Sequence, residues 1–488
     1  MDRRLEGLPN DHITEKTTPK DDRRIMAGKP NTAPLSMVEK LGYGAGDMAS
    51  NFYMGVINVF LLYYYTDVWG IDPASAAFMF LITKVIDAVS DPCMGLIADR
   101  TRSRWGRYRP YMLWGAVPAG LLGYLLFLGP EFGESGKLIF AYVSYSLFML
   151  AYTAINVPYS ALLAVISPLA EERTKATQFR FIFASLGTLI VGATTKPLVA
   201  ALGDGDEVAG FRLTMILFAV IAAGLFWFTF FATRERIQPV KQDTNVREEI
   251  GVLLKNISWV VLAIAGISAV IGLVCRISSA AFYTKYVLKI GEESFLWWMD
   301  GTTLIISCGF LGQLIGALIT PALLKFFEKR TLMILTNFVC AGSILATYGL
   351  GPDQYMLTLL MYSVGIFAFG IIITLLFAMY TDCAEYGEWI SGKNSAGLTV
   401  SASMFSLKAG SAIGSAVPAS LLAMYGFMQG QADQSESTLE GIQLMFNVLP
   451  AVFFFVAGLL MLAYKIDRKL LQKIETELGE KRARLEEA

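Results

Sequence analysis

The sequence predicts an all-α, polytopic membrane protein with twelve transmembrane helices in two six-helix bundles. Three observations predict it. The first is composition: of 488 residues, 55% are hydrophobic and only 17% are charged, with a mean hydropathy of +0.51, against about 25% charged in ordinary soluble domains. The second is run length. Stretches such as 138–166 and 448–464 are apolar throughout, long enough for the ~20 residues a helix needs to cross a bilayer. They do not alternate in the ~10-residue segments of an outer-membrane barrel. The third is the placement of Lys and Arg, set out below. Forty Lys and Arg against 41 Asp and Glu give a net charge of −1, so nothing attracts a polyanion, and the expected partners are a small solute and the lipid bilayer, not nucleic acid.

Residues 1–38 are polar and lack the 7–15-residue apolar stretch of a signal peptide; they read as a mobile cytoplasmic tail. Apolar runs then place spans near 41–66, 73–98, 110–129, 138–166, 179–202 and 210–233, giving a first bundle over 39–233. A charged central loop, 234–256, carries Arg236, Lys241, Asp243, Arg247, Glu248 and Glu249. Six further spans, near 257–288, 294–324, 331–350, 354–381, 395–426 and 438–464, make a second bundle over 257–465. The charged segment 466–488 is rich in helix formers and reads as a surface helix.

With both termini on the cytoplasmic side, the inward segments hold 32 of the 40 Lys and Arg. Outward segments hold Lys137, Arg212, Lys285 and Lys289, and Lys84, Lys196, Arg276 and Lys408 fall within spans. This eightfold bias is what the positive-inside rule requires of a multi-pass protein in a cell's inner (plasma) membrane. Acids recur in the loops after span 4 (Glu171, Glu172) and after span 10 (Asp382, Glu385, Glu388), each before a helix rich in small residues. Two related halves around a cavity are a transporter architecture.

The five cysteines, Cys93, Cys275, Cys308, Cys340 and Cys383, lie in or at the ends of apolar runs and read as small buried hydrophobes. The one histidine, His12, is in the tail, so cation handling in the membrane falls to carboxylates. No P-loop, GxSxG or metal-ligand cluster occurs, so neither an enzyme nor an ATP-driven pump is expected, and no cofactor beyond a co-transported Na⁺ or H⁺.

A charge at the bilayer centre costs about 2.5–3.5 kcal/mol on insertion scales, so each such residue is a functional candidate. In span 2, LITKVIDAVSDPCMG places Lys84, Asp87 and Asp91 on one helical stripe. Lys84 offsets one carboxylate. The second charge is open to a proton or to Na⁺, whose hard-cation chemistry asks for oxygen ligands; Asp87 and Asp91 are the metal ligands in that case. Pro92 removes a backbone donor and frees a carbonyl nearby. The structural alternative is an ion pair with a spare acid near the span's end. In span 4, Thr153, Asn156 and Ser160 share a face; they serve a cation, a polar solute or helix packing. Span 1 brings Asp47 and Asn51 among tyrosines, a lining that suits a sugar and equally a packed helix. Lys408 in span 11 sits among small residues and needs an acid or a cargo group, and Arg180 either snorkels to the interface or reaches the cavity. Arg276 and Asp300 are expected to pair across the second bundle. The arginines of DRTRSRWGRYRP, Arg104 among them, either orient the chain or latch a gate against Asp382, Glu385 and Glu388.

These residues stand in longer blocks. GYGAGDMASNF (42–52), DAVSDPCMGLIADRTRSRWGRYRP (87–110), AINVPYSAL (154–162), TDCAEYGEW (381–389) and SLKAGSA (406–412) resemble the glycoside–pentoside–hexuronide:cation symporters, a branch of the major facilitator superfamily that includes melibiose permease. The resemblance spans about 41–465. It implies the major facilitator fold, alternating access, and uptake of a glycoside with Na⁺ or H⁺. By position it places the family's cation site on Asp87 and Asp91, with Ser90 and Thr153 as accessory positions. Its membrane lysine falls on Lys408, and its sugar-site arginine on or beside Arg180. Melibiose permease has acids where this chain has Asn51 and Asn156, tryptophans at Ser160 and Ile373, and lysine at Ser50, so α-galactosides are not the implied cargo; a xyloside, pentoside or β-glycoside is. The expected protein is therefore a monomeric glycoside symporter, with Asp47, Asn51, Asn156, Ser160, Arg180 and Lys408 as sugar-site candidates. An amphipathic-lipid transporter on the same fold and a passive sugar facilitator are the alternatives.

Overall fold

In a computed structural model the chain is helical almost throughout; the structure describes residues 33–236, 251, 253–291, 294–296, 299–391, 396–431 and 433–487. Most of the tail 1–38 and of the central loop 234–256 lies outside the described residues. Helix α1 (Met37–Val56) begins at a capping box: Ser36 Oγ accepts from the Glu39 N–H at 3.2 Å, and Glu39 Oε2 from the Ser36 N–H at 2.8 Å. Two donors that a helix start leaves open are thereby satisfied, which moves the first span four residues ahead of the apolar run. The last tail residues are also tied down. The Leu35 N–H donates to Glu172, and Arg236 binds both Glu39 and the Ala33 carbonyl.

Helix α1 runs on through two π-helical segments, Ile57–Leu61 and Tyr64–Val68. The first half continues with α2 (Pro73–Arg100), α3 (Arg109–Leu126), α4 (Glu134–Ile166), α5 (Ala170–Gly203) and α6 (Glu207–Ala232). The second half holds α7 (Ile257–Phe282, with a π-helical extension Tyr283–Val287), α8 (Gly301–Leu323), α9 (Lys329–Leu345), α10 (Tyr355–Ser391), α11 (Ala396–Met424) and α12 (Glu436–Ala463). A final helix, α13 (Arg468–Glu487), lies against the end of α10, where Trp389 donates to Glu477 at 2.7 Å.

The packing repeats. In the first half α1 packs on α5 and α6, α3 on α4 and α6, and α2 on α4; in the second half α7 packs on α11 and α12, α9 on α10 and α12, and α8 on α10. The halves meet through α2 with α11 and α5 with α8, a reciprocal pairing that a pseudo-two-fold axis generates. The surface is inverted relative to a soluble protein: Val220, Leu318 and Phe231 are exposed while Ser, Thr and Asn side chains are buried. Eight of the described helices are long and apolar enough to cross a membrane; α1, α2, α3 and α9 fall outside that set, and α1 and α2 carry the acids Asp47, Asp87 and Asp91 described next.

Three expectations are corrected. The eighth span does not start at 294: Ser294–Leu296 and Met299–Asp300 form a small antiparallel hairpin, and α8 starts at Gly301. Asp300 does not pair with Arg276. It caps α8 by accepting from the Thr303 N–H at 2.7 Å, while Arg276 is buried against the rings of Tyr362 and Phe446, at 5.0 and 4.8 Å. Cation–π attraction, strong where water is excluded, takes the place of the expected ion pair. All five cysteines are free thiols, and Cys93 is exposed, not buried.

Candidate functional site

Helix α2 stays helical through Pro92, which leaves the Ala88 carbonyl without its usual helical donor. That carbonyl lies between the two acids in the chain. Asp87 is buried, and Asp91 is one turn further along. From α4, Thr153 Oγ1 lies 3.0 Å from Asp87 Oδ1 and 3.2 Å from Asp91 Oδ1. A hydroxyl carries one proton, so it donates to one carboxylate at a time, and three oxygens converge on one point.

Lys408 reaches this cluster from the opposite half. Its ammonium contacts Asp91 Oδ2 and lies 3.4 Å from Asp87 Oδ2. Sequence grouped it with the sugar residues; the structure seats it on the acids. Among the described side chains, two carboxylates and one ammonium leave a charge of −1, which a monovalent cation would neutralise. The exposure is graded: the Lys408 side chain is 41% exposed, Asp91 23% and Asp87 7%. Exposure thus falls from Lys408 through Asp91 to Asp87. Ser90 donates to the Asp87 carbonyl at 3.2 Å, inside its own helix. The side chain of Lys84 lies outside the described residues.

A second polar group flanks the first in the same half. Arg180 Nη2 lies 3.4 Å from Asp47 Oδ1, with the guanidinium 5.2 Å over the Tyr159 ring. Tyr159 stacks on Tyr43 at 5.0 Å and donates to its carbonyl at 2.6 Å. Asn51 donates to the Asp47 carbonyl and accepts from Thr188 at 3.0 Å. Among the described residues, Asn156 Oδ1, Arg180 Nε and Tyr43 Oη are buried without a hydrogen-bond partner. Buried polar atoms left open are costly, and these comprise an acceptor, a donor and a hydroxyl that can do either. Ser160 is exposed further along α4. Sequence reasoning missed Tyr159 and Thr188; Tyr159 stands three residues after Asn156 and therefore near its face.

The candidate gate residues have the following contacts. Glu235, missed in the sequence, accepts from the backbone N–H groups of Arg107, Tyr108 and Arg109 at 2.8–3.2 Å. Gly106 has φ +110°, and a Cβ there would lie 2.4 Å from the Glu235 carboxylate. Arg104 lies over Trp105 at 4.2 Å, and Asp382 pairs with Lys329 at 2.7 Å, within its own half. Glu385 and Glu388 are half-buried on α10 one and nearly two turns beyond Asp382.

Residues 42–468 match the family described as MFS/sugar transport protein. The chain is 32% identical to the inner membrane symporter YicJ of Escherichia coli, over 88% of this chain and 92% of that one. It is likewise 32% identical to the putative glycoside/cation symporter YagG of Escherichia coli, over 93% and 97%. In fold it resembles the nucleoside transporter NupG, with a TM-score of 0.61 at 14% identity over 86% of this chain and 99% of that one.

Proposed function

The chain belongs to the MFS/sugar transport protein family, and from that premise we propose that it is a secondary active symporter importing a glycoside or small oligosaccharide with Na⁺ or H⁺. It is a multi-pass membrane transporter and not an enzyme. The observation that carries the reading is the cluster of Asp87, Asp91 and Thr153 facing Lys408 across the two halves. Without a cation, Lys408 compensates the acids and ties α11 to α2. A cation on Asp87 and Asp91 competes with the ammonium, so cation binding and the relation between the halves are coupled. Coupling of this kind is reciprocal: cargo must favour the cation by the same free energy.

The sugar is read by Asp47, Arg180, Asn51 and Asn156, with Tyr159 beside them. The amides at 51 and 156 in place of acids support a xyloside, pentoside or β-glycoside cargo. The Lys and Arg bias supports cytoplasmic termini in the inner membrane, and the protein acts as a monomer. Uptake of a glycoside panel into vesicles, under an imposed Na⁺ gradient or a pH gradient, tests the assignment. Accumulation of a glycoside above equilibrium with one gradient supports it; equilibration only, with every sugar and both gradients, contradicts it.

A further inference from the structure

The end of the bundle opposite the termini carries a polar group that the cation and sugar sites do not use. Asp67, in the second π-helical segment of α1, has a side chain only 2% exposed. Its carboxylate accepts from Lys285 Nζ at 2.7 Å and from the Tyr286 hydroxyl, both on the π-helical extension of α7. Gln429, after α11, donates to its carbonyl at 3.3 Å. Lys285 also reaches Tyr63 at 3.3 Å; Tyr63 bonds Glu207 at 3.3 Å, and Glu207 pairs with Lys196 at 2.8 Å. The bridge to the second half therefore has a second tier.

The pairing follows from the internal repeat. Tyr64–Val68 and Tyr283–Val287 are both π-helical, and each closes the same way, Trp69 N–H to Tyr64 O at 2.8 Å and Leu288 N–H to Tyr283 O at 3.0 Å. Gly70 and Lys289, two residues past the segments, both have positive φ, 82° and 55°. In this register Asp67 and Tyr286 are equivalent residues 219 positions apart, so the contact joins a position to its own pseudo-symmetry mate. Two identical acids there would repel; an acid facing a tyrosine and a lysine attracts.

We propose that Asp67, Lys285 and Tyr286 form a latch that holds this end of the carrier shut and must part for that end to open. The inference goes beyond the function proposed above and rests on none of its site residues. Opening hydrates all three groups, so no charge is left buried and unpaired, and the latch can be cycled. The test uses Ser278, buried about two turns below Lys285 and donating to the Asn58 carbonyl of the other half. A Ser278→Cys reporter is made in full-length protein with Cys93→Ser and Cys308→Ser; the other three cysteines are buried. A membrane-impermeant maleimide is applied to the face opposite the termini, without cargo. Asp67→Asn should raise the labelling rate about tenfold, as for the loss of ~1.4 kcal/mol. Tyr286→Phe, a change mild enough to preserve folding, should raise it less, and the swap Asp67→Lys with Lys285→Asp should return it toward the parent value. Equal rates in parent, Asp67→Asn and Tyr286→Phe would overturn the latch, as would a swap that labels as fast as Asp67→Asn.

Discussion

Replacing Thr153 with valine keeps the side chain's shape and removes one oxygen. That oxygen stands 3.0 Å from Asp87 and 3.2 Å from Asp91, so a cation held by the two acids loses a neutral ligand and keeps both charges. A hydrogen bond or ligand contact to a charged group contributes about 1.5–3 kcal/mol, and each 1.4 kcal/mol is tenfold in affinity. The Na⁺ concentration for half-maximal cargo uptake should therefore rise by roughly ten- to a hundredfold. A proton needs only one carboxylate oxygen, so uptake driven by a pH gradient should persist. The assay is initial-rate uptake in proteoliposomes, with Na⁺ titrated at fixed pH and a separate series with a pH gradient alone. Na⁺-driven uptake with unchanged half-saturation would refute the placement of this hydroxyl at the cation. Loss of both modes while cargo still binds would refute the reasoning that a proton has no need of it.

Other consequences follow from the same contacts. Arg180→Lys keeps the charge but loses the planar fork over Tyr159, so cargo half-saturation should rise about tenfold, as for ~1.4 kcal/mol, with cation half-saturation nearly unchanged; a cation effect of equal size would place Arg180 elsewhere. Glu235→Gln weakens the acceptor for the backbone N–H groups of Arg107, Tyr108 and Arg109 where the loop enters α3, and should lower stability by about 1–2 kcal/mol, read as a drop of a few degrees in Tm. An unchanged Tm would mean that the loop is held by Arg109 and its bonds to the Phe230 carbonyl.

Much of the fold was legible because span length and charge asymmetry are properties of the chain itself. The acid stripe was legible for a related reason: Asp87 and Asp91 are local in sequence, and an i, i+4 spacing needs no tertiary knowledge. The partner of that stripe was not. Lys408 is 317 residues from Asp91, and only the reciprocal contact of α2 with α11 brings them together. Arg276 was expected to pair with Asp300 across the second bundle. The competing demand was local, since the start of α8 needed a cap and Asp300 supplied it. Glu235 escaped notice because its partners are backbone N–H groups, which carry no sequence signature. Asp67 escaped because the apolar run ended at 66, and its role depends on a repeat too weak to align without the shared π-helical segments.

The central claim is that Asp87 and Asp91 carry the coupling cation. Asp87→Asn and Asp91→Asn, each reconstituted in proteoliposomes, should abolish concentrative uptake under both an imposed Na⁺ gradient and an imposed pH gradient. For Asp91→Asn, exchange of labelled for unlabelled cargo at equal concentrations should persist, because the sugar residues and the alternating movement remain. Uphill accumulation at the parental level by both variants would contradict the account.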